Sequence, residues 1–433
     1  MNFVLLLALT GLVHAMRSFS ASESVLSTGT TLAFGYLLLA AFFIGGYFRR
    51  VSLPKLTGYI ATGIVVGPSV LDLVSQPMLD NLEIVNGMAT ALIALSAGAE
   101  LGFKKMRPLL RTIGYVNVYG VFSAIVALSA VLLATSRWVP FLGELLGPAR
   151  VAVSVMLAVV MSAQSPSVVI AMRDETQARG PVASTALGVV VLADLLVIVL
   201  FAVTSAIAKS ALGLGDSPLA TVLGISWELL GSLAFGGSLG LLLAIFLRRV
   251  SGSAALFVML LAFVIAEIGQ RLALDPLILA LSAGLVVRNF SKEGEKLHEV
   301  ITDAGLPVYV LFFAVAGASL HVDALLSVGL LAPVLALTRA AGLLSGGKLG
   351  AKVAGAPPTV QRFAPYGLLP QAGLALALSH LMSRSFPTLG AHAGALTLAI
   401  VALNELIAPV VYRWALVKSG EGNPAAAVAA GGH

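Results

Sequence analysis

The chain has 433 residues, 58% of them hydrophobic and only 11% charged, with a formal net charge of +6. A soluble domain carries about 25% charged residues. With less than half that share and a mean hydropathy of +1.00, this chain lacks the charge to cover a globular surface. That excludes a soluble enzyme, a nucleic-acid binder and a disordered protein. Cysteine is absent and the six histidines show no HxxxH or HExxH spacing, so neither a disulfide framework nor a thiolate or zinc site is expected.

A helix that crosses ~30 Å of hydrocarbon needs about 20 mostly apolar residues. Thirteen such segments follow one another, at 31–48, 55–74, 82–102, 112–136, 150–172, 181–208, 218–247, 252–272, 276–290, 299–320, 324–347, 363–383 and 390–417. The expected class is an all-α polytopic membrane protein. Residues 1–30 hold an extra apolar stretch, Met1 to Ala15. It is short for a span and has no basic leader, so it reads as a short helix or a signal-like segment. Residues 419–433, rich in small residues, Pro and Gly, read as a disordered tail.

Lys and Arg divide unevenly between alternate connections: nineteen lie on one side and six on the other, with Arg339 inside a span. By the positive-inside bias, the first span starts outside and the last ends in the cytoplasm.

Two stretches resemble each other in step. LPKLTGYIATGIVVGPS from Leu53 is similar to LDPLILALSAGLVVRNF from Leu274, and ALSAGAEL, ending at Leu101, to AVAGASL, ending at Leu320. Gly63 then pairs with Gly284 and Gly98 with Gly317. The paired segments start seven helices apart, so the chain reads as two inverted five-helix repeats. The alternative is chance likeness among Ala-, Gly- and Val-rich helices.

A charge at the bilayer centre costs ~2.5–3.5 kcal/mol even on a lenient insertion scale. Asp194 lies in the middle of GVVVLADLLVIVLF, where it reads as a carboxylate that loads a cation or a proton. The competing reading is an Asp neutralised for good by Arg339. Arg339, in LALTRAAGLL, either pairs with Asp194 or caps freed backbone carbonyls. Glu405, beside Asn404 in IVALNELIAPVV, reads as a second ion-path group or as a carboxylate satisfied by hydrogen bonds. Glu267 reads as part of a helix-end cluster, and His380 as a lone interfacial histidine.

Two spans carry polar breaks. VVMSAQSPSVVIAM places Ser162, Gln164, Ser165, Pro166 and Ser167 in mid-span, and YGLLPQAGLALAL places Pro370, Gln371 and Gly373 there. Proline removes a backbone donor and frees carbonyls. At bilayer depth such unwinding persists only where it lines a cavity or is buried in protein. A pair of interrupted helices points to a midplane ion site; the alternative is two ordinary proline kinks.

From Gly35 to Trp414 the order of these features resembles the monovalent cation:proton antiporters, in particular the bacterial Kef-like and NapA-like sodium or potassium exchangers. LPKLTGYIATGIVVGPSVL, ALIALSAGAEL, SAQSPSVVIAM and LLPQAGLALAL are similar in turn to that family's opening motif, its third-helix signature and its two crossing helices. The resemblance implies that Asp194 binds the transported Na+ or K+ and the proton, with Ser162, Gln164 and Ser165 beside it and Arg339 as the family's basic residue. It implies alternating access, a homodimer in lipid, a bacterial inner membrane and no cofactor. It also implies that 31–418 form the transport domain, with moving core helices near 82–208 and 299–417 and scaffold or dimer helices near 31–74 and 218–290. Two positions depart from the pattern: Ala193 stands where relatives have an acidic or amide residue, and Gly373 where some have Glu. With one titrating carboxylate and an arginine that keeps its proton, one proton per cation, hence electroneutral exchange, is expected. The nucleotide-sensing domain of Kef-type relatives is not expected after the transport domain. Rival readings are a carrier of organic anions or other solutes on the same fold, with Arg339 binding substrate, and a non-transporting sensor or scaffold.

Overall fold

A computed structural model describes residues 26–51, 53–214, 218–249, 254–272, 274–320, 328–371, 374–376, 378–379, 382, 386 and 389–423. The extra segment at 1–15 lies outside them, as do Gly373 and His380. The principal helices are α1 (Leu26–Arg50), α2 (Lys55–Val66), α3 (Glu83–Glu100), α4 (Leu110–Ala134), α5 (Gly147–Ser162), α6 (Pro166–Thr176) and α7 (Pro181–Ala211). They continue as α8 (Pro218–Arg249), α9 (Ala254–Leu272), α10 (Pro276–Phe290), α11 (Gly294–Ala318), α12 (Leu331–Val353) and α13 (Gly390–Lys418). Among the described residues there is no strand. Proline sits in the first turn of α5, α6, α7 and α10, where its missing N–H removes no helical bond.

Among the described residues, five helical stretches are long and apolar enough to cross a membrane: Arg107–Ala134, Gly147–Thr176, Pro181–Ala211, Leu230–Arg249 and His392–Lys418. Shorter apolar helices include Lys55–Val66, Gly87–Ala99 and Pro276–Phe290. The span expected at 150–172 is two helices, α5 and α6, separated by 163–165. The one expected at 363–383 begins with a 3-10 turn, Ala364–Leu368, and leaves helical form at 369–371. The helix expected at 324–347 is displaced to Leu331–Val353, because Gly329, at φ 58°, turns the chain just before it.

The chain divides into two compact units. The first contains α1–α3, α9–α11 and α8 from Glu228 onward. Two seams hold it together. In the first, α2 lies against α11: a methyl added at Gly63 would overlap the Ala314 backbone, and one at Gly317 the Ile60 backbone. In the second, α3 lies against α10, where Gly98 and Gly284 are equally bare against the backbones of Leu281 and Leu95. Each seam ends in a side-chain tie. Ser69 Oγ donates to Leu320 O at 3.0 Å, and Asn289 Nδ2 donates to Leu101 O at 2.9 Å. The helices near 82–102 and 299–320, α3 and α11, pack with the other helices of the first unit.

The second unit contains α4–α7, α12 and α13. Here α12 lays Gly342, Gly346 and Gly350 on the backbone of α4 at Ala124, Tyr119 and Tyr115. A buried cluster joins α4, α5, α7, α12 and α13 through Leu128, Met156, Val197, Leu335 and Leu396. The tail expected to be disordered is ordered at its start. Ser419–Asn423 folds back onto the unit, with Gly422 N bonded to Leu416 O at 3.0 Å, and 424–433 lie outside the described residues.

Candidate functional site

The site belongs to the second unit and begins with the break in α5. Pro166 lacks an N–H and its ring opposes the preceding turn, so α5 cannot run through it. Helix α5 stops at Ser162, and Ser165 adopts an extended conformation (φ −130°, ψ 101°) to cap α6, accepting a bond from Val168 N at 3.3 Å. The break leaves the carbonyls of Met161 and Ala163 without helical donors. In the second interrupted segment Pro370 likewise brings no N–H, and the chain leaves helical form at 369–371.

One side chain answers both breaks. Arg339, from the interior of α12, is completely buried. Its Nε donates to Met161 O at 2.7 Å and its Nη2 to Ala163 O at 2.7 Å. Nη1 donates to Leu369 O at 2.7 Å, and Nη2 reaches Leu368 O at 3.4 Å. A guanidinium presents five donors in a planar fork, and here the fork spans two separate stretches of unwound backbone. Of the two roles open for Arg339 in the sequence, this geometry is the carbonyl-capping one. Gln371 extends the network. Its Nε2 also donates to Met161 O, at 3.1 Å, and its Oε1 accepts from Asn404 Nδ2 of α13 at 2.8 Å. Gln371 and Asn404 are buried.

Asp194 lies on α7, 3% exposed. Its helical neighbours Ala193 and Val197 share one buried cluster with Val160, Met161 and Ala163 of the break. The carboxylate thus sits on the turn of α7 that packs into the same cluster as the α5 break. Gln164, inside the break, is fully buried, and among the described residues neither its Oε1 nor its Nε2 has a hydrogen-bond partner. An unmet buried polar group costs ~1–3 kcal/mol, so this amide fits a place where a polar ligand passes. Ser162 and Ser165 are buried too, but their hydroxyls are engaged locally: Ser162 Oγ donates to Val159 O at 2.8 Å, and Ser165 Oγ pairs with Ser167 Oγ at 2.9 Å. Glu405 is 2% exposed, and among the described residues its Oε2 has no hydrogen-bond partner. Among the described residues no three His, Asp or Glu side chains gather to hold a resident metal ion.

Two further buried polar residues, one on α4 and one on α7, are not singled out by the sequence. Asn117 of α4 donates from Nδ2 to Val189 O at 3.4 Å, and its buried Oδ1 has no partner among the described residues. Thr185 of α7 is fully buried, and its Oγ1 has no hydrogen-bond partner among the described residues. Asn117 carried a signal, an amide within the apolar run TIGYVNVYGVF. A threonine inside a helix carries none, because it ordinarily bonds back to its own turn.

A sequence model described as "Sodium/hydrogen exchanger, transmembrane" matches residues 37–418. The chain belongs to the sodium/hydrogen exchanger family. It is 26% identical over 298 residues to the Na(+)/H(+)-K(+) antiporter GerN of Bacillus cereus, covering 66% of this chain and 70% of that one. Its fold is that of the sodium proton antiporter MjNhaP1 from Methanocaldococcus jannaschii. One structure of that protein, at pH 8, covers 92% of this chain and 99% of its own, with a TM-score of 0.67 at 15% identity. A second, from an electron-microscopy map, gives a TM-score of 0.66, again at 15% identity, over 92% and 97% of the two chains. This exchanger is therefore an all-helical integral membrane transporter, and cation–proton exchange is its class of activity.

Proposed function

We propose that this exchanger moves a monovalent cation, Na+ or K+, one way and a proton the other, both at Asp194, by alternating access and at one proton per cation. The observation that carries the reading is the position of Asp194, buried on the turn of α7 that packs into the same cluster as the unwound Met161–Ser165 backbone. A carboxylate in an apolar span favours its neutral or cation-paired form over the bare anion. Cation and proton then compete for it, and crossing is cheapest when one of them is bound. Gln164 supplies polar atoms next to the break, while Ser162 and Ser165 shape it. Pro166 and Pro370 make the two breaks, and Arg339, Gln371 and Asn404 hold them open. The chain would work as a homodimer in a bacterial inner membrane, with its C-terminal end in the cytoplasm as the Lys and Arg distribution directs. The paired glycine seams support the inverted repeat, since Gly63 and Gly284, and Gly98 and Gly317, make the same close approaches at matching places.

The test is acid-loaded inverted vesicles given pulses of Na+, Li+ or K+. At least one cation should release protons and dequench a ΔpH dye, and Asp194→Asn should abolish the response. Wild-type dequenching by that variant removes Asp194 from the mechanism. An organic-anion carrier is disfavoured by Arg339, which already donates to four carbonyls and has little left for a substrate.

A further inference from the structure

The first N–H groups of a helix have no partners within it and need a cap. Helix α7 lacks the usual one, because its N-cap residue is Gly180, which has no side chain, and Pro181 follows with no N–H. The first two amides the helix can offer are those of Val182 and Ala183. Glu421, beyond the end of α13, takes both. Its Oε1 accepts from Val182 N at 2.7 Å and its Oε2 from Ala183 N at 2.8 Å. The bare Gly180 admits the carboxylate, since a methyl there would overlap the Glu421 side chain. Gly420, at φ 80°, turns the chain back, and Asn423 N bonds Thr176 O, the last residue of α6, at 2.9 Å. With Gly422 N on Leu416 O, one short segment ties together the end of α6, the start of α7 and the end of α13. A carboxylate also suits this place because the N-terminus of a helix carries partial positive charge.

We propose that Glu421 is a positioning residue for exchange: as the borrowed cap of α7 it fixes the axial position of that helix, and thereby of Asp194, about 20 Å further along at ~1.5 Å per residue. The proposal rests on the reading that Asp194 carries the ions. Its effect is on how well the site is held, so it belongs to the apparent cation affinity more than to the maximal rate.

The experiment uses the full chain in proteoliposomes, with two readouts. In Glu421→Ala and Glu421→Gln, amide hydrogen exchange at Val182 and Ala183 should quicken roughly tenfold. The Na+ or K+ concentration for half-maximal dequenching should rise about threefold or more, with the maximal rate changed less. Adding Gly180→Ser to Glu421→Ala supplies a local cap in the space the glutamate leaves, and should restore both readouts. The proposal is overturned if Glu421→Gln keeps wild-type protection at these amides. It is overturned equally if protection is lost while the cation dependence stays put, or if Gly180→Ser restores protection and not affinity. Amide exchange reports the cap whether or not Asp194 carries ions, so failure of the site reading shows separately, in an Asp194→Asn variant that still transports.

Discussion

Arg339 concentrates in one side chain what backbone amides do elsewhere in a helix. Four buried carbonyls from two unwound segments depend on it, and each would cost ~1–3 kcal/mol if left unmet. Arg339→Ala should therefore destabilise the protein by several kcal/mol, on the order of 3–5, read as a large fall in melting temperature of the detergent-solubilised exchanger. Arg339→Lys, with a single point of charge in place of a fork, should recover only part of the loss; a variant with wild-type melting would refute the clamp. Asp194, Pro166 and Pro370 were legible in the sequence because a membrane span makes any deep charge or proline conspicuous. The partners of Arg339 were not, since they are backbone carbonyls far away in sequence, and no residue type announces a free carbonyl. Glu421 was not legible for a similar reason. It falls among the small residues of 419–433, and only the folded chain brings it to Val182 and Ala183.

The helices themselves were largely legible, because ~20 apolar residues in a row have few alternatives. The contacts between them were not. Hydropathy says that a segment lies in the bilayer and nothing of which neighbour it touches; that is set by the glycines that let backbones approach. Gly63 and Gly284 show the difference. Sequence comparison paired them as equivalents, and in the folded chain each lies in its own seam, against α11 and α3 respectively. Gly63→Ala and Gly284→Ala should each lose about 1–3 kcal/mol through overpacking, and by similar amounts if the two copies are related. Gly35→Ala is the control, with nothing within 4 Å of the added methyl, and should melt at or slightly above the wild-type temperature. Equal melting of all three variants would mean that the seams bear no load.

Across the whole molecule, charge accounting decides the coupling. Arg339 keeps its positive charge throughout the cycle. If Asp194 alone exchanges its occupant, the second unit carries the same net charge with a proton as with a monovalent cation, so the effect of voltage on one transit is cancelled by the return. A potential of 100 mV acts with ~2.3 kcal/mol on each elementary charge, enough to change an electrogenic rate by more than tenfold. Clamping that potential with valinomycin and K+ in proteoliposomes should leave Na+-driven proton movement within about twofold of its unclamped rate. Strong acceleration would mean a second proton per cycle, with Glu405, buried beside Asn404, as the group to test.

The return of the C-terminal segment onto α7 also bears on how this protein is handled. The family match ends at residue 418, an obvious place to trim the gene or fuse a reporter. Cutting there keeps every residue of α13 and removes Glu421. A protein shortened at that boundary should fold, insert and bind cations poorly, and its weakness would be blamed on the detergent or the lipid when the missing part is three residues past the last helix.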